Sequence, residues 1–174
     1  MTDRYLSIYL RDHLAMGQGG IDLVRRMATA NADNELGDLL DQFGKELQEE
    51  ASDLKRALKL LDIEPSQLKK AGVWFAEKIG RLKLNGELRG YSPLSRLLEL
   101  EGLMAAVQAR KGLWMTLLDA KHMYPKLEQI PLQQYFERAD KQLEELDEMH
   151  IKAARHMLKT GWKRDEDQRR PPAR

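Results

Sequence analysis

Apolar residues return every three or four positions along nearly the whole 174-residue chain, which is the spacing of one buried face on an α-helix and not of a strand. From Leu6 the stripe passes through Leu10, Leu14, Gly17, Ile21, Val24 and Ala28 and predicts a first helix over 4–29. Its phase is unchanged across Gly17-Gln18-Gly19-Gly20, so these glycines read as helix and not as a loop. A helical glycine costs about 1 kcal/mol relative to alanine. Gly17 on the seam is therefore expected to serve either close approach of a neighbouring helix or room for a ligand.

The residues from Asn31 to Asn34 supply a turn and a cap. Leu36, Leu39, Leu40, Phe43, Leu47, Leu54, Leu58 and Leu61 then mark a second helix over 34–61, packed antiparallel to the first because the link is short. Asp62-Ile63-Glu64-Pro65-Ser66 breaks the pattern, with Pro65 suited to a new first turn. A shorter amphipathic helix carrying Leu68, Gly72, Phe75 and Ile79 follows, ended by Asn85-Gly86 and Gly90. Ser92 and Pro93 open a third long helix over 93–122, with Leu94, Leu97, Leu98, Leu100, Leu103, Met104, Val107, Leu113, Met115, Leu117 and Leu118. Pro125 and Pro131 bracket the next link, and Leu132, Phe136, Ala139, Leu143, Leu146, Met149, Ala153 and Met157 mark a last helix over 132–160.

Four long helices and no strand pattern predict an all-α four-helix bundle, with helices of roughly 40 Å. Residues 1–160 form one domain in this reading, 65–90 are an insertion with an extra short helix, and the charged, proline-terminated 161–174 are a disordered tail. Heptad-like spacing alone also fits an extended hairpin or a homodimer zipper, but the excursion at 65–90 suits a closed bundle better.

Charge and composition narrow the function classes. Lys plus Arg number 29 against 28 for Asp plus Glu, so no net field favours nucleic acid. The absence of cysteine excludes disulfides, thiolate metal sites and thiol nucleophiles. Apolar runs are too short for a membrane span or a secretion signal, so a cytoplasmic location is expected. The Gly-Gln-Gly-Gly segment lacks the context of a phosphate loop, and no Gly-x-Ser-x-Gly elbow is present.

What remains are polar residues on the inward stripes. His13 stands between Leu10 and Gly17, with Asp12 beside it. Glu46, Glu50 and Asp53 follow Phe43 on the second helix; Glu101 lies between Leu98 and Ala105; His150, flanked by Asp147, lies between Leu146 and Ala153. Counting outward from the turns, His13 should meet Glu50 and Glu101 should meet His150. If the second helix ends where the third begins, both pairs share one layer. If the connection crosses the bundle, the pairs separate by roughly 10 Å.

Two antiparallel helix pairs, a long middle connection and inward carboxylates and histidines make residues 4–160 resemble the ferritin-like superfamily, in particular its small uncharacterised bacterial members. Di-iron members carry a Glu on one helix of each pair and Glu-x-x-His on the other. The nearest matches are Glu50-x-x-Asp53, Glu101 and Asp147-x-x-His150, with His13 or Asp12 in place of the first Glu, and every position except Glu101 departs from the pattern. The resemblance implies iron or manganese held among His13, Glu50, Asp53, Glu101, Asp147 and His150.

A plainer reading stands beside it. A histidine on an apolar stripe is usually hydrogen-bonded to a nearby acid, because each unsatisfied buried polar atom costs about 1–3 kcal/mol. Glu46 and Asp53 then belong to solvated helix edges. In the insertion, Lys78, Arg81, Lys83 and Arg89 outnumber Glu77 and Glu87 beside Trp74 and Phe75. Such a segment at 68–90 suits an anionic membrane surface or a partner groove, but a bundle-packed helix with a solvated basic face is the simpler reading and the one preferred. Two functions follow as expectations. One is a noncatalytic interaction or structural bundle, with a protein partner or a second copy; the other is an iron- or manganese-binding oxidoreductase or stress protein.

Overall fold

The computed structural model describes residues 3–64 and 91–169, with side chains as far as residue 162. Within them are four α-helices and no strand: α1 (Arg4–Ala30), α2 (Glu35–Leu60), α3 (Pro93–Ala120) and α4 (Leu132–Arg169), with a 3-10 turn at Pro125–Gln129 before α4. The expected extra short helix at 65–90 lies outside the described residues.

Local chemistry sets the boundaries. Asp3 caps α1 by accepting from the Tyr5 and Leu6 amides, Asn34 caps α2 by accepting from Leu36, and Ser92 caps α3 by accepting from Ser95 with Pro93 in the first turn. At the end of α2, the Ile63 amide donates to Leu58 and the Asp62 amide to Lys59, with Asp62 in the left-handed region at φ 55°. This is a Schellman closure with aspartate where glycine is usual, and Ile63 tucks into the core behind it. The last helix runs on to Arg169, past the expected stop at Gly161. A single glycine costs about 1 kcal/mol, too little to end a helix whose next proline is Pro171.

α1 pairs with α2 and α3 with α4; backbone contact is lighter between α1 and α3 and sparse between α2 and α4. Long side chains bridge that last seam. Glu35 pairs with Lys152, Glu46 with Gln142, Glu49 and Glu50 with Arg138, and Asp53 with Tyr135, so each advance along α2 is matched by a nearly equal retreat along α4. α2 and α4 are therefore antiparallel. So are α3 and α4, through Arg110 with Gln142 and Glu101 with His150. It follows that α2 and α3 point the same way. Arg11 holds the Glu64 carbonyl (2.7 Å) at one end of the bundle, and Asn31 holds the Tyr91 hydroxyl (3.3 Å) at the other. The second helix does not end where the third begins.

The core consists of two apolar clusters. One gathers Ile21–Ala28, Leu36–Leu47, Leu97–Val107 and Ala139–Ala153; the other gathers Leu10, Leu14, Leu54–Ile63, Leu113–Ala120 and Leu127–Tyr135. Between them lies the level of Glu50. Tyr135 is fully buried in the second cluster while its neighbour Phe136 packs at the edge, and Leu94 and Met115 are exposed despite their apolar character.

Candidate functional site

The middle level holds a buried carboxylate clamped by cations. Glu50, only 2% exposed, accepts from the Trp114 indole Nε1 at 3.0 Å through Oε2, and from Arg138 Nη1 at 3.4 Å through Oε1. Arg110 Nε stands 3.0 Å from the same Oε2 as a charge pair, but its N–H is not aligned with any acceptor. A second ring of contacts surrounds the first. Arg110 Nη2 donates to Gln142 Oε1, Gln142 Nε2 donates to Glu46 Oε2 at 2.5 Å, and Arg138 Nη1 donates to Glu49 at 2.9 Å. Tyr135 donates to Asp53 at 2.8 Å, its ring packs 4.9 Å from Trp114, and Arg138 lies 5.1 Å over it.

Electrostatics follow from burial. Desolvation pushes the Glu50 carboxyl upward, while Arg110, the Trp114 hydrogen bond and Arg138 pull it back. Burial likewise lowers Arg110, opposed by Glu50 and Glu46. Tyr135 is raised by burial and then by its bond to the Asp53 carboxylate, so it remains a donor. Each charge is tolerated because its opposite is present, and removing one partner would leave the other buried and unpaired.

On the other side of Glu50 is space. A cavity of about 170 Å3 lies between α1 and α3 over a floor from α2, with His13, Gly17, Gly20, Gly102, Ala106, Glu50 and Arg110 among its walls. A Cβ built on Gly17, Gly20 or Gly102 would meet nothing within 4 Å. Close helix approach at Gly17 is thus not what the glycine serves; it leaves a gap. Gly37 is the contrasting case, since a Cβ there would run into the Asn31 carbonyl at the α1–α2 turn.

The six residues expected to hold metal are not brought together. His13 and Glu50 share the cavity wall as their levels predict, but His13 packs edge-on against Tyr9 at 4.4 Å and makes no hydrogen bond to Glu50. Burial lowers its imidazole, with Asp12 acting in the opposite direction. Glu101 and His150 do meet, at 3.2 Å, yet are 51% and 31% exposed. On the register of the Glu46–Gln142 pair, His150 stands level with Asp38, about 18 Å from Glu50 along the axis at about 1.5 Å per residue. Asp53 is taken by Tyr135 and by Arg56 at 3.6 Å, and Asp147 is exposed.

Among the described residues no group of three or more histidine and carboxylate side chains is placed to hold a metal ion. The donor set does not fit a di-iron centre, because two guanidinium groups already occupy the place a cation would take at Glu50. The parallel run of α2 and α3, which offsets one hairpin against the other, is the physical reason for the separation.

Sequence reasoning from acids and imidazoles missed the residues that complete the site. Arg110 and Trp114 continue the stripe of Leu103, Val107 and Leu117, and Gln142 continues that of Ala139 and Leu146, so their inward placement was written in the spacing. A second buried acid, Glu99, pairs with Arg26 at 2.6 Å across α1 and α3. No described helix is long and apolar enough to cross a membrane. The chain matches no family model, no curated protein and no solved structure.

Proposed function

We propose that this chain is a noncatalytic bundle of ferritin-like layout, acting as an interaction or structural protein whose Glu50 layer fixes helix register instead of binding iron or manganese. The observation that carries the reading is the state of the Glu50 carboxylate, whose two oxygens are engaged by Trp114, Arg110 and Arg138. A divalent cation there would have to displace two guanidinium groups in a desolvated site. The layout is supported by two antiparallel hairpins whose inner helices run parallel, as one long crossover connection requires. Register is the best-attested use of a buried polar layer, since sliding either helix by a turn would strand each charge in an apolar cluster.

The test is metal analysis of protein purified without an affinity tag and reconstituted with iron, manganese or zinc. Substoichiometric metal, unchanged by Glu50→Gln, is the expected result; one or two equivalents lost on Glu50→Gln would overturn the reading. The interaction role has its own check in solution mass. A chain that stays monomeric and retains no partner through purification would contradict it.

A further inference from the structure

We propose that the cavity between α1 and α3 is a binding site for a slender uncharged molecule, an aliphatic chain with one oxygen acceptor such as a medium-chain alcohol or ketone. Its volume of about 170 Å3 exceeds the roughly 150 Å3 of an apolar cavity that accommodates benzene. It follows α1 from His13 to Gly20, about 10 Å at about 1.5 Å per residue, which suits a chain better than a broad ring system. The space is kept open by Gly17, Gly20 and Gly102, whose added Cβ atoms would touch nothing, although glycine is a poor helix former. Ala105 and Ala109, both in the wall and both exposed, mark the side from which a ligand enters.

Polarity selects the ligand. Arg110, in the cavity wall, has a buried Nε–H that stands 3.0 Å from Glu50 Oε2 but is aligned with no acceptor, and poorly met buried donors are rare. One ligand oxygen fills that need. The charges in the wall are already spent on each other: Glu50 is paired with Arg110, so an incoming carboxylate meets Glu50 and an incoming ammonium meets Arg110, each without a free counter-ion. A mostly apolar cavity whose charged groups are already paired therefore favours a neutral head. This inference does not depend on the register role of Glu50.

The test uses the full chain with Trp74→Phe and Trp162→Phe, which leaves Trp114 in the cavity wall as the only tryptophan. Octan-1-ol should change its emission saturably and raise the melting temperature with concentration. Octanoate and octylammonium should bind at least about tenfold more weakly, and Gly17→Leu should weaken octanol by at least about tenfold, the equivalent of about two buried methylenes. Ala106→Leu, on the facing wall, repeats the block if Gly17→Leu does not fold. No saturable response to octanol, equal affinity in a folded blocking variant, or tighter binding of octanoate would each overturn the proposal.

Discussion

The middle level of the bundle is filled in opposite ways on its two sides. Between α2 and α4, where backbone contact is sparse, arginine, glutamate, glutamine and tyrosine side chains span the gap and satisfy one another. Between α1 and α3, glycine and alanine line a gap that nothing in the described residues fills. Helix spacing and side-chain length are matched on the first side and mismatched on the second. Long polar residues can substitute for close packing, at the cost of burying charge; small residues cannot, so they leave volume. One side thus specifies alignment while the other offers space.

The sharpest way to break this contrast is to truncate the clamped acid. Glu50→Ala leaves Arg110 and Arg138 facing an apolar hole and removes the Trp114 acceptor, so a loss of about 3–5 kcal/mol is expected in chemical denaturation. The two kinds of glycine come next. Gly37→Ala should destabilise by about 1–3 kcal/mol, because its Cβ would force the Asn31 carbonyl aside. Gly17→Ala should stabilise by about 1 kcal/mol, because a methyl in open space brings helix propensity without a clash. A Gly17→Ala that destabilised would mean the seam is closed.

Smaller effects fall outside the layer. His150→Ala should cost less than about 1 kcal/mol, since its pair with Glu101 is solvent-screened. For His13, burial holds the folded imidazole below its unfolded value of about 6.5. The unfolded chain therefore takes up the proton first, and stability present above about pH 6.5 declines as pH falls towards the lower folded value. His13→Gln should flatten the stability-against-pH curve in that window, and an unchanged slope would place its source elsewhere.

Much of the architecture was legible because helical periodicity and caps are local signals. Asn34, Ser92 and Pro93 mark starts that the helices adopt, and Leu10, Leu14, Ile21 and Val24 are buried on the face their spacing predicts. The levels of His13 with Glu50 and of Glu101 with His150 also follow from counting. What counting within hairpins cannot supply is how the hairpins align. That depends on the direction of α3 relative to α2, fixed by contacts as distant in sequence as Asn31 with Tyr91 and Arg56 with the Gln129 carbonyl. Arg110 and Arg138 escaped notice for a different reason: charge suggests a solvated residue, and only the juxtaposed Glu50 makes burial tolerable. The cavity was legible only as an ambiguity, since Gly17 on a seam fits both contact and space.

The most direct test of the central claim is a double-mutant cycle between Glu50→Gln and Arg110→Met, measured by denaturation in metal-free buffer. If the pair is the lock of the middle level, each single change destabilises and the double change recovers part of the sum. A coupling of about 1.5–3 kcal/mol is expected. Additive losses, or a coupling that emerges only when iron or manganese is added, would contradict the account.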